Sequence, residues 1–252
     1  MTALLTIDFE STALEVATLT ALEVAWCVTD ISGEQRLPLR HRYCQITNAN
    51  RALVPREHNV NDMFWDRNGG GDPAALKMAE ESGLFDDWLA SDPRTRLTTG
   101  AELQRLLLDD ITEVTDPDVG GVPEYVHIHG AGAARFDFSL LELHCRGVLP
   151  RFGDRYPTHY RPVDTSGVQT GLLGNNYEQD MIQWAQRTYG KQIGEIEVGR
   201  PPDYNFGPRP LDGARHRAPV DVARAIVLQR ALWRYAEPLR TEILCAVAEP
   251  RR

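Results

Sequence analysis

The run Leu4-Leu5-Thr6-Ile7-Asp8-Phe9-Glu10-Ser11-Thr12 predicts an apolar strand over 3–9 that ends in two carboxylates. Side chains alternate along a strand, so Asp8 and Glu10 point the same way. Two acids side by side repel unless they are solvated, protonated or bridged by a cation. A hard divalent metal with oxygen ligands is the usual partner for such a pair. The remaining ligands must then come from elsewhere in the chain.

A second apolar run, Ala21 to Ile31, follows, and the turn at Ser32-Gly33 leads to a third strand-like run from Arg40 to Ile46. Together they predict a β-meander with the acid pair at one end of its first strand. Residues 48–75 are polar and hold Gly69-Gly70-Gly71, which predicts a long loop or insertion. Helical patterns cover 74–90 and 100–114; in the latter Leu103, Leu106, Leu107 and Ile111 recur at helical spacing. After a break around Asp116 to Gly121, Tyr125 to His129 reads as a strand and Phe138 to Val148 as a helix. A short strand near Tyr160 to Val163, a helix from Tyr177 to Tyr189 and a proline-rich loop over 194–215 complete the middle. A last helix begins near Ala218. Strands first, then strands alternating with helices, predict one mixed α/β domain over 1–252.

The composition is that of an ordinary globular protein, 42% hydrophobic and 25% charged. A net charge of −9 and a pI near 5.3 argue against coating duplex DNA by bulk electrostatics. They leave room for local grip on a short strand, because bound cations invert the sign of a site. Cys27, Cys44, Cys145 and Cys245 lack paired spacing, so reduced cysteines are expected rather than a zinc site or disulfides. The start has no basic leader and no stretch reaches membrane-spanning length, so a cytoplasmic protein is expected.

Two further acidic elements follow. Arg135-Phe136-Asp137-Phe138 puts Asp137 at a helix start, where an acid alone reads as a cap favoured by the dipole. His216-Arg217-Ala218-Pro219-Val220-Asp221 sets Pro219 in a first helical turn, Asp221 just inside it and His216 on the loop before it.

In this order the three elements are far more specific than any one of them. Asp-x-Glu on the first strand, Phe-Asp opening a middle helix and His-x-Ala-x-x-Asp opening a late helix resemble the DEDDh exonuclease superfamily. That superfamily includes the DnaQ-like proofreading subunit of DNA polymerase III, ribonuclease T and the DexA-type phage exonucleases. The similarity runs from residue 4 to about 235. Two departures are visible: Ala133, Ala134 and Arg135 stand where the family carries an Asn, and Ala13 stands in place of a Gly.

The resemblance implies a ribonuclease H-like mixed β-sheet flanked by helices. It also implies a 3′→5′ exonuclease for single-stranded DNA or RNA ends, working with two Mg²⁺ or Mn²⁺ ions. On it, Asp8, Glu10, Asp137 and Asp221 are the metal ligands and His216 the general base. Thr12 would contact the terminal nucleotide. Phe9 and Leu14 flank the acids, either as core residues or as groups wedged against terminal bases. A proofreading or accessory module of a larger assembly, and a catalytically silent nucleic-acid-binding relative, remain alternative readings. Some relatives dimerise, so a homodimer is an open arrangement.

The other charged residues are expected to be less telling. Arg200, Arg209, Arg215 and Arg217 are candidates to track phosphates, with solvation the expectation for most. Glu23, Glu142 and Glu178 read as solvated. His127 and His129 form a His-x-His without companion ligands and read as structural.

Overall fold

The computed structural model describes residues 2–13, 19–47, 72–115, 125–130, 136–149, 158–164, 192–206, 211 and 216–248. Strands β1 (Thr2–Ser11), β2 (Thr20–Asp30) and β3 (Arg40–Thr47) form the expected meander. Helices α1 (Pro73–Glu81), α2 (Leu84–Ala90) and α3 (Gly100–Thr115) follow. Then come β4 (Tyr125–Gly130), α4 (Asp137–His144), β5 (Thr158–Asp164) and the long α5 (Ala218–Ala248).

The five strands make one sheet in the order β3-β2-β1-β4-β5. β2 runs antiparallel to both its neighbours, while β1, β4 and β5 run parallel. β1 is thus central, which explains why Ala3, Leu4 and Leu5 are apolar in succession and almost wholly buried.

Period-two alternation decides what each face meets. Leu5, Ile7 and Phe9 of β1, with Val24, Trp26 and Val28 of β2, pack against Leu103, Leu107, Ile111, Leu140 and Leu141 of α3 and α4. On the opposite face Ala25 and Cys27 of β2 meet Ala218, Val222, Ala223 and Ile226 of α5. Asp8 lies in register with Ala25 and Glu10 with Glu23. The acid pair therefore faces α5, on the side away from the larger core.

Several expectations need correction. The helix over 74–90 is two helices, because Gly83 at φ 72° adopts the left-handed conformation and ends the first one. Within the expected loop over 48–75, residues 73–75 are helical: Asp72 caps α1 by accepting from the Ala74 N–H. The helix expected from Phe138 to Val148 starts at Asp137 and stops at His144. There the chain turns onto α3: the Gly147 N–H donates to Gln104 at 2.7 Å, and a Cβ at Gly147 would come within 2.7 Å of the same side chain. The helix expected from Tyr177 to Tyr189 lies outside the described residues, as do 48–71 and Glu178. Residues 194–206 are irregular as expected, yet they bridge β3 through Leu39–Val198 and His41–Tyr204. Among the described residues, no helix is long and apolar enough to cross a membrane.

Candidate active site

Pairing between β1 and β4 runs from Thr2–Tyr125 to Thr6–His129 and then stops. Beyond that point, the Phe9 N–H donates to the Asp137 carboxylate, Oδ1 at 3.0 Å. Asp137 is therefore fixed to the backbone between the two strand acids. Asp221 reaches the same place from the first turn of α5, where Arg217 O accepts from the Val220 and Asp221 N–H groups. Pro219 needs no partner for the N–H it lacks.

The cleft these elements bound has a volume of about 470 Å³ and is lined by Asp8, Glu10, Asp221, His216, Phe136, Met78 and Arg224 among others. One ligand atom each from Glu10, His216 and Asp221 falls within 4.8 Å of the others. Among the described residues this is the grouping of potential ligands close enough to share an ion. His216 is exposed and non-glycine at φ 60°, a left-handed conformation uncommon outside glycine and costly unless its surroundings hold it.

Burial pushes the Asp8 carboxyl well above its ordinary range, and the charges of Asp137, Glu10, Asp221 and Glu23 add to it. Glu10 is raised for the same reasons, burial first and then Glu23, Asp221 and Asp137. Burial also raises Asp221, although Arg224 at 3.1 Å and the backbone of His216 act against it. Buried acids crowded in this way, with Asp221 adding to the raising of both Asp8 and Glu10, form a site that a divalent cation would relieve, and the carboxylate-rich donor set suits a hard ion. The residues present therefore fit Mg²⁺ or Mn²⁺.

Phe9 is only 5% exposed and belongs to the larger core while also lining the cleft. The Thr12 hydroxyl accepts from the Thr20 N–H at 2.9 Å and is buried, so it fastens the β1–β2 connection. Leu14, Arg209 and Arg215 lie outside the described residues. His129 is buried, with Nδ1 at 2.8 Å from the Thr6 hydroxyl, and Cys27, Cys44 and Cys145 are free, buried thiols.

Two expectations fail outright. Glu23 is wholly buried, not solvated, and Arg217 is 1% exposed, not on a phosphate-tracking surface. The two form an ion pair at 2.8 Å. Glu23 also takes a hydrogen bond from His41 Nε2 at 2.9 Å; a carboxylate can only accept, so that nitrogen carries the proton. Burial alone would raise the Glu23 carboxyl, but His41 and Arg217 together bring it down to about 2. The signal was present in the sequence: a lone charge between Leu22 and Val24, inside an apolar run, must be paired if the strand is central.

No family model and no curated protein matches this chain. Among solved structures, zinc-bound E. coli exonuclease I in complex with single-stranded DNA aligns over 98% of this chain and 43% of that one, with 13% identity and a TM-score of 0.46. S. pombe Pop2p in a Mg²⁺- and Mn²⁺-bound form aligns over 92% and 82%, with 13% identity and a TM-score of 0.48. Exonuclease I from Methylocaldum szegediense aligns over 94% and 43%, at 13% identity and 0.42. The chain spans less than half the length of these exonuclease I chains. Its own sheet order, with β2 alone antiparallel to its neighbours, carries the assignment. The fold is ribonuclease H-like.

Proposed function

We propose that this chain is a metal-dependent 3′→5′ exonuclease that hydrolyses the terminal phosphodiester of single-stranded DNA or RNA. The observation that supports it best is geometric: Asp8, Glu10, Asp221 and His216 line one cleft, ligand atoms of the last three lie within 4.8 Å of one another, and Asp137 is held to the backbone of Phe9 between the two strand acids. Asp8, Glu10, Asp137 and Asp221 would hold two Mg²⁺ or Mn²⁺ ions. When bound, such a pair lowers the pKa of a water and neutralises the leaving oxygen of an in-line displacement.

The chain's own residues do the rest. His216 takes the proton of the attacking water, work suited to an imidazole near neutral pH. Its exposed place on the cleft rim gives it access to that water. Arg224, one turn beyond Asp221 on the cleft wall, offers a cation to a backbone phosphate. Phe136 and Met78 offer the apolar surface on which a terminal base can rest. In this reading Phe136 takes the part first considered for Phe9, whose ring is committed to the core.

The test is a polarity assay. Single strands of DNA and RNA labelled at the 5′ end should give a ladder of shortened products with Mg²⁺ or Mn²⁺ and none with EDTA. Strands blocked at the 3′ terminus should resist. Internal cuts, or a folded protein that yields no product from either polymer, would contradict the proposal.

A further inference from the structure

Glu23 does more than neutralise Arg217. Its Oε2 accepts the Ala218 N–H at 2.8 Å, so the first free N–H of α5 is capped from β2, 195 residues away in sequence. Local capping would use Ser, Thr, Asp or Asn at the residue before the helix; here that residue is Arg217. The arginine's own fork returns to the same carboxylate, with Nε at 3.2 Å from both oxygens and Nη2 at 2.8 Å from Oε1. Nη1 reaches Asp87 of α2 at 2.7 Å, Nη2 donates to the Tyr43 hydroxyl at 3.3 Å, and the Phe206 ring lies 4.6 Å from the guanidinium carbon.

This arrangement is placed where it matters. Glu23 is the cross-strand partner of Glu10, and like charges directly opposite one another destabilise a ladder unless one is neutralised. Arg217 is the residue after His216 and lies four before Asp221. A local cap would hold the helix together but would not tie it to β2. The remote cap does both, and a planar fork on a buried carboxylate fixes direction as well as distance.

We infer that Glu23 and Arg217 are a positioning pair that docks the His216–Asp221 element against Glu10. They touch no reacting atom and act by fixing where His216 stands. The effect on turnover rests on the exonuclease reading; the effect on His216 does not.

The experiment replaces both partners, Glu23→Leu with Arg217→Met. Exchanging a whole buried ion pair for apolar groups is often neutral for stability, whereas removing one partner is not. The exchange also takes the acceptor from His41 Nε2 and from the Ala218 N–H, so the double variant is expected to melt several degrees below the wild type. Turnover is compared at a temperature where both are fully folded. Its kcat should fall about 100-fold, the size of effect a misplacement of about 1 Å produces, with KM for a short single strand nearly unchanged. In spectra of ¹³C-histidine protein, with His216→Ala used for assignment, the sharp His216 resonance should broaden or split.

A kcat within about threefold of the wild type, well short of that loss, would overturn the inference. In a protein that hydrolyses no strand, the resonance decides: unchanged, it overturns the inference; broadened, it supports it. Should the double variant fail to fold, Arg217→Lys keeps the charge without the fork. A tenfold lower kcat, or a perturbed His216 resonance, at unchanged melting temperature then supports the pair's role, on the order of a 0.5 Å misplacement. Wild-type values of both contradict it.

Discussion

Asp8→Asn is expected to lower kcat by about 10³-fold, because losing one ligand removes several kcal/mol of stabilisation of the reacting phosphate. The same variant should melt higher than the wild type in EDTA. Asp8 is raised by burial and by Asp137, Glu10, Asp221 and Glu23, so its charged form is a burden to the metal-free fold. A carboxyl raised on folding binds more protons in the native state than in the unfolded chain. Its contribution to stability is then greatest below the ordinary carboxylate range and is lost as pH rises toward the folded value.

Removing that charge flattens the decline, with a gain of about 2–4 °C for each kcal/mol of repulsion relieved. Calorimetry in EDTA at several pH values, beside activity in Mn²⁺, checks both halves. Retained activity, or a lower melting temperature at pH 8 than the wild type, would contradict the account. An active site that costs stability is the ordinary compromise between function and folding.

His216→Ala should lower kcat by about 10²- to 10⁴-fold, the usual contribution of a general base. It should leave Mn²⁺ affinity nearly unchanged. That second measurement matters because the imidazole lies within 4.8 Å of ligand atoms of both Glu10 and Asp221. A strong loss of affinity would make it a ligand rather than a base. His216→Gly adds a useful control. Glycine adopts φ 60° without steric cost, so this variant should fold at least as well as the alanine one and be equally slow. Near-normal turnover in either variant would remove His216 from the mechanism.

What the sequence made legible was whatever is written locally. Alternation put Asp8 and Glu10 on one side of a strand, and Pro219 marked the start of the late helix. The meander followed from short apolar runs. What stayed hidden depended on residues far apart. Glu23 meets Arg217 across 194 positions, and no local pattern names the partner of a buried charge. The split between α1 and α2 was less hidden, since Ser82-Gly83 sits in the middle of the helical pattern. There the period of the apolar residues outweighed a turn signal that the fold obeys. Phe9 and Thr12 lie beside the acids and are both buried, holding β1 in place; proximity in sequence does not say which part of a residue faces a ligand.

The measurement that reaches furthest is a Mn²⁺ titration of metal-free protein by calorimetry, with Asp8→Asn beside it. Saturable binding approaching two ions per chain in the wild type, and clearly weaker or fewer in the variant, is the predicted result. Folded wild-type protein that takes up no Mn²⁺, or a variant that binds it equally well, would contradict the claim that these acids exist to hold cations.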